Sequence, residues 1–149
     1  MVKNRVFLDS SVIISALLSS EGGSFHILYY FKNVFEFQIN EYVFDEVLNV
    51  LDEKFSDNPQ LKNKFFTLIG LMSVRVLPDV SKSEVKFLEK FLSKEDAPIL
   101  AAALKYSSYL LTLDNDFLTD LVLKFASNKN LSILKPKEFI QIFRNLKSR

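Results

Sequence analysis

The chain has 149 residues, of which 48% are hydrophobic and 25% are charged, and this composition predicts a single globular domain over residues 1–149 and excludes a disordered chain. The net charge of +1 excludes a general electrostatic attraction to nucleic acid or to an anionic membrane. Since the sequence has no Cys, no signal-peptide pattern and no membrane-length apolar stretch, we expect a cytoplasmic protein that has no disulfides and no contact with a membrane.

Short β-type runs are spaced along the chain, with helix-length segments between them. The runs are RVFL (5–8), FEFQI (35–39), VRVL (74–77), YLLTL (109–113) and LSIL (131–134). Apolar residues at positions 44, 47, 48, 51 and 55 follow the helical period. Strands that alternate with helices predict βαβ units, so the expected fold is α/β, with three α/β/α layers and a mostly parallel central sheet of about five strands.

The first run ends at an acid, in VFLDSSVIISALL. Asp9 lies between two apolar segments, where an uncompensated charge costs free energy. One interpretation is that Asp9 caps the following helix, with Ser10 and Ser11 as competing caps. The other is a ligand site, because ligands of parallel sheets bind beyond the carboxyl ends of the strands.

The helix predicted after the second run carries two neighbouring acids, in EYVFDEVLNVL. Asp45 and Glu46 border opposite margins of its apolar face. Helical spacing does not choose between them, and a solvated position is open to either one.

A third acid stands at the start of the helix in KEDAPILAAALKY. Asp96 shares the apolar face with Ile99 and Leu100, where a solvated acid is not expected. A cap running from Ser93 to Asp96 is the alternative, but it would place Pro98 too deep in the helix. A helix start at Glu95 or Asp96 is easier.

The fourth strand run is followed by two acids, in YLLTLDNDF. Asp114 comes directly after the run, and Asp116 stands where DFLTDLVL looks like an N-cap and its helix. If this strand is parallel to the first, Asp9, Asp96 and Asp114 converge at one rim of the sheet. Such carboxylates need a counter-charge, and oxygen ligands favour Mg²⁺ or Mn²⁺ over Zn²⁺.

Taken in order, VFLDSSVIISALL, YVFDEVLNVL, KEDAPILAAAL, LLTLDNDF and LKPKEFI resemble the PIN-domain ribonucleases, especially the small single-domain toxins of toxin–antitoxin pairs. The resemblance implies that the metal-binding and catalytic acids are Asp9, Glu46, Asp96 and Asp114. It implies an accessory metal ligand at Asp116 and a supporting hydroxyl at Thr112, and it favours Glu46 over Asp45. Ser11 departs from the family, which often has Asn there to hold the loop and the neighbouring acids.

These residues predict a metal-dependent endoribonuclease that hydrolyses RNA with Mg²⁺ or Mn²⁺, as the toxin of a type II toxin–antitoxin system. A cognate antitoxin and a homodimer are expected partners, and the apolar stretch Phe25–Phe31 serves either the core or such a contact. Candidate cations for RNA are Lys94, Lys135 and Lys137. The alternative is a catalytically weak or silent PIN-like module that binds RNA or protein, for which the Ser11 departure is the argument.

Overall fold

The computed structural model describes residues 3–146, and within this range five strands and eight α-helices alternate along the chain. The strands are β1 (Asn4–Leu8), β2 (Phe35–Asn40), β3 (Arg75–Leu77), β4 (Tyr109–Leu111) and β5 (Ser132–Leu134). The helices are α1 (Ser10–Leu18), α2 (Gly23–Phe31), α3 (Glu41–Lys54), α4 (Gln60–Leu71), α5 (Lys82–Leu88), α6 (Ala97–Tyr106), α7 (Asp120–Asn128) and α8 (Pro136–Phe143).

The strands form one parallel sheet in the order β3-β2-β1-β4-β5. From β1 the chain first moves outward to β2 and β3, then crosses back to β4 and moves outward in the other direction. Right-handed crossovers therefore place α1 to α4 on one face and α5 to α7 on the other, which confirms the three-layer α/β/α fold. The reversal of strand order lies between β1 and β4.

The hydrophobic core lies on both faces of the two central strands. Val6, Phe7 and Leu8 of β1 are fully buried, as are Leu110 and Leu111 of β4. Side chains on successive strand residues point to opposite faces, so consecutive apolar residues fit a strand that is covered by helices on both sides. This burial fixes the position at which each strand ends.

All five predicted strands are present, with small differences at their ends. The largest difference is at β4, which ends at Leu111, so Thr112 and Leu113 belong to the loop that leads to Asp114. The α6 helix begins at Ala97, slightly later than the predicted start at Glu95 or Asp96, and Asp96 occupies the N-cap position. Pro98 lies in the first turn, as the sequence predicted.

No single helix within residues 3–146 is long and apolar enough to cross a membrane. Taken together, α1 and α2 have the length and composition of a membrane span, but the two helices are bent by 96° relative to each other. Many of their apolar side chains, including Ile13, Leu17 and Leu28, are buried in the core.

Candidate active site

The candidate site lies at the carboxyl ends of β1 and β4, where the strand order reverses. The backbone N–H of Asp9 donates to the carbonyl oxygen of Leu111 at 3.0 Å, so the ladder between the two strands continues to the first residue of the site. This is the position at which open parallel sheets bind ligands. The chain leaves β4 through Thr112 and reaches Asp114 within three residues.

Asp9 occupies the N-cap position of α1, but its side chain makes no capping hydrogen bond. The carboxylate is 3% exposed and accepts hydrogen bonds from Ser11 Oγ at 2.8 Å and from Thr112 Oγ1 at 2.7 Å, both on Oδ2. The capping interpretation is therefore wrong for the side chain. A cap would have directed the carboxylate at the helix amides, whereas this carboxylate is held in place by hydroxyl donors.

Each of these two hydroxyls also accepts a hydrogen bond from the loop after β4. Leu113 N–H donates to Ser11 Oγ at 3.1 Å, and Asp114 N–H donates to Thr112 Oγ1 at 3.0 Å. Ser11 thus holds both the loop and Asp9, the role for which the PIN resemblance expected an Asn. Thr112 connects Asp9 to the backbone of Asp114.

Glu46 extends into the site from α3, the helix that follows β2. The neighbouring Ser10 hydroxyl, which is 3.4 Å from Asp9 Oδ1, forms a hydrogen bond with Glu46 Oε1. Asp45 is exposed to solvent. The structure places Glu46, and not Asp45, beside Asp9, because the shared strand edge brings the start of α1 against that side of α3.

Carboxylate oxygens of Asp96, Asp114 and Asp116 lie within 4.8 Å of one another. Ser93 Oγ accepts a hydrogen bond from the Asp96 N–H at 3.2 Å, and Asp114 Oδ1 accepts one from the Asp116 N–H at 2.9 Å. The N-cap predicted at Asp116 is wrong. A short 3-10 helix at Asn115–Leu118 intervenes, and α7 is capped by Thr119.

The four principal acids, Asp9, Glu46, Asp96 and Asp114, line one cleft with a volume of about 600 Å³. Among the described residues, the ion pairs join Arg5 and Arg75 to Glu36, and Lys62 to Asp52, so none of them neutralises these acids. Phe55 and the exposed Lys54 also line the cleft. An oxygen-only donor set whose acids form no ion pair among the described residues fits a hard divalent cation.

Burial and mutual repulsion raise the pKa values of the Asp9, Glu46 and Asp96 carboxyls. Burial is the main cause for Asp9 and for Glu46, and the nearby charge of Asp114 adds to it in both. The pKa of Asp96 rises to about 6 because of burial and the adjacent Asp114. Burial and the carboxylate of Glu46 raise the pKa of Tyr42, at the start of α3, to about 12. Perturbed carboxyls in a cleft are typical of functional sites.

Two features near the site were not predicted as functional. Ser10 was considered only as a rival cap, and Tyr42 carries no motif that singles it out. The predicted cations lie outside the acidic cleft, because Lys94 lines an adjacent cleft and Lys135 and Lys137 line another one beside Gly23. A search for hydroxyl residues directly after strand-end acids would have found Ser10.

Residues 6–119 match the family model described as PIN domain. Among solved structures, VapBC2 from Rickettsia felis bound to a DNA fragment from their promoter matches with a TM-score of 0.63 and 14% identity over 88% of this chain and 98% of that chain. PAE2754 from Pyrobaculum aerophilum matches with a TM-score of 0.69 and 14% identity over 97% and 99%. At this identity the two structures describe the fold alone. No curated protein gave a significant match.

Proposed function

The chain belongs to the PIN domain family, whose members are in general nucleases, and from this premise we propose that it is a Mg²⁺- or Mn²⁺-dependent endoribonuclease that acts on RNA in the cytoplasm as a single domain. The observation that carries the proposal is the cleft in which Asp9, Glu46, Asp96 and Asp114 meet, and within residues 3–146 no Lys or Arg forms an ion pair with them. Bare carboxylates would repel an RNA phosphate, so a cation is required before the substrate can approach.

In the proposed reaction the protein positions the acids and leaves one face of the cleft open. A divalent ion, when bound, lowers the pKa of water and stabilises negative charge on the phosphate. Asp9, Glu46, Asp96 and Asp114 would hold it, with Asp116 as an accessory ligand. Ser11 and Thr112 fix the Asp9 carboxylate through hydrogen bonds, so it needs no rearrangement when the ion binds.

The proposal is tested by comparing Asp96→Asn with Asp45→Asn on a labelled RNA in Mg²⁺ and in Mn²⁺. The two variants change the net charge equally, but Asp45 is an exposed acid outside the cleft. We expect Asp96→Asn to lower kcat/KM by about a hundredfold or more, as the removal of one stabiliser of transition-state charge does. Asp45→Asn should cleave like the wild type. Cleavage that persists in excess chelator, or equally in both variants, would contradict the proposal.

The alternative of a silent binding module drew its argument from Ser11. Because the Ser11 hydroxyl contacts both Asp9 and the Leu113 amide, the departure from Asn does not leave the loop unsupported. We therefore favour the enzyme. Equal RNA binding by the wild type and Asp96→Asn, with no cleavage by either, would reverse this preference.

We extend the proposal to a biological role as the toxin of a type II toxin–antitoxin pair, with a cognate antitoxin and a homodimer as partners. Its support is the order of motifs and the fold shared with VapBC2. A small neighbouring gene for a DNA-binding antitoxin is expected, and the two proteins should co-purify when they are produced together. A solitary gene would remove this role without affecting the nuclease proposal.

A further inference from the structure

A second cleft, with a volume of about 590 Å³, adjoins the acidic one. It lies between the start of α3, the α5 helix and the start of α6. Tyr42, Lys82, Lys86, Lys94 and Pro98 are among its lining residues. Apart from Lys94, which the sequence offered as a cation for RNA, none of these residues has a role in the proposed chemistry.

The two clefts approach each other along α3 and at the start of α6, where Tyr42 and Pro98 line one cleft and Glu46 and Asp96 line the other. Tyr42 stands one helical turn before Glu46, on the same side of α3. Lys94 and Pro98 flank Asp96 at two residues on either side. An RNA strand that runs from the acids toward Tyr42 therefore reaches the Tyr42 cleft next.

The charge of the Tyr42 cleft differs from that of the acidic one. Its three lysines are exposed, and within residues 3–146 none of them forms an ion pair. Two acids also line it; Asp79 accepts a hydrogen bond from Tyr42 N–H at 2.9 Å, and Glu89 is half-buried. Cations beside an aromatic ring are the combination by which proteins bind single-stranded nucleic acid.

We propose that the Tyr42 cleft binds the single-stranded RNA that continues from the scissile phosphate, with an unpaired base stacked on Tyr42 and backbone phosphates at Lys86 and Lys94. The inference rests on the proposed function for the location of the scissile phosphate. It assigns substrate contacts to Tyr42 and Lys86, for which the sequence predicted no role, in addition to Lys94. It also makes the enzyme selective for unpaired strands, since a base in a duplex cannot stack on a side chain.

The first experiment measures phosphate contacts by binding of a labelled single-stranded RNA in Ca²⁺, which neutralises the acids without the strict geometry of Mg²⁺. A Lys86→Gln/Lys94→Gln variant is compared with a Lys105→Gln/Lys129→Gln control. The control has the same net charge, but its two lysines lie near the beginnings of the β-strands, at the other end of the sheet. Each lost contact should reduce the slope of log K against log salt by about 0.7, so the test variant should lose about 1.4. The control should keep the wild-type slope.

The second experiment tests stacking with Tyr42→Leu and Tyr42→Phe. Loss of one stacked base should weaken single-strand binding roughly fivefold to a hundredfold in Tyr42→Leu, whereas Tyr42→Phe keeps the ring and should bind like the wild type. A duplex of the same sequence should bind both variants equally. Melting temperatures identify any variant that has lost its fold, and Tyr42→Phe and the lysine variants still decide the question in that case.

The outcomes separate this inference from the proposed function. If the wild type cleaves RNA but the Lys86/Lys94 variant has the salt slope of its control, the cleft assignment is overturned and the nuclease stands. The same conclusion follows if Tyr42→Leu binds single strands as the wild type does. If the wild type binds through the cleft but cleaves no RNA, the nuclease proposal fails while the binding assignment holds.

Discussion

Glu36 in β2 and Glu46 in α3 are both partly buried glutamates, and they lie at opposite ends of the strands of the central sheet. Near the strand beginnings, Glu36 contacts Arg5 Nε at 3.7 Å and Arg75 Nη1 at 3.5 Å, and it accepts a hydrogen bond from the Gln38 amide. Near the strand ends, Glu46 has the Ser10 hydroxyl and other acids as its neighbours. Glu36 is thus neutralised by two arginines of the same chain, whereas no Lys or Arg within residues 3–146 forms an ion pair with Glu46.

The difference distinguishes an acid that is paired within the chain from the acids that the proposal assigns to cation binding. A carboxylate that is paired within the chain has a structural partner and needs nothing from solution. Carboxylates held together by hydroxyls retain their repulsion, which lowers the stability of the fold and favours an external cation. The comparison thus supports the proposed site at this edge of the sheet without reference to any motif.

The largest expected effect comes from replacing Glu by Gln at each of the two ends of the sheet. Glu46→Gln should reduce RNA cleavage by about a hundredfold or more while leaving the melting temperature in chelator unchanged or higher, because a repelled carboxylate is removed. Glu36→Gln should leave cleavage unchanged and cost less than about 1 kcal/mol of stability, since its arginine partners are largely exposed. Cleavage assays and thermal melts of both variants check this, and equal losses of activity would break the comparison.

A smaller effect is expected from two serine hydroxyls that make bonds of equal length. Ser11 Oγ donates to Asp9 at 2.8 Å, and Ser107 Oγ donates to Gln38 Oε1 at 2.8 Å near the other end. Each Ser→Ala change should cost about 1 kcal/mol of stability. Only Ser11→Ala should also reduce cleavage, by roughly tenfold to a hundredfold, as outer-shell changes at metal sites do. Activity that is normalised to the folded fraction distinguishes the two, and an equal effect of Ser107→Ala would contradict the prediction.

The smallest expected effect is a pH dependence of the stabilisation of the fold by a bound metal ion. Burial and Asp114 raise the pKa of Asp96 from 3.8 to about 6, so the folded chain holds this proton more tightly than the unfolded chain. In chelator its contribution to the free energy of unfolding therefore falls as the pH rises from about 4 to about 6. Because Mn²⁺ competes with the proton, Mn²⁺ should raise the melting temperature by a few degrees more at about pH 7.5 than at about pH 5. An increase that is the same at both values would count against Asp96 as a ligand.

Much of the fold was predictable because its strands are short apolar runs and its helices carry a helical apolar period. The apolar runs RVFL and YLLTL predicted strands that are covered by helices on both faces. In the observed sheet these two strands are adjacent, so their carboxyl ends are neighbours. The predicted end of the fourth strand was two residues too late. Thr112 still donates its N–H to Leu134 at 3.1 Å, so sequence and ladder both resemble a strand there, while the chain already turns toward Asp114.

The details of the site depended on contacts that no local pattern encodes. Asp45 and Glu46 are equivalent by spacing, and the packing of α1 against α3 places Glu46 in the cleft. DFLTDLVL reads as a cap and a helix, but Asp114 forms its own short turn first and Thr119 takes the cap. The double hydrogen bonds of Ser11 and Thr112 require β1 and β4 to be paired, which a reading of one segment does not reveal.

The Thr112 bond to Asp9 joins residues 103 positions apart, and this separation governs when the site can exist. Asp9 precedes Thr112 and Asp114 in the chain and is therefore synthesised before them. The acids cannot assemble in a nascent chain before both central strands are present and paired. A fragment that lacks either β1 or the loop after β4 therefore cannot form the proposed site.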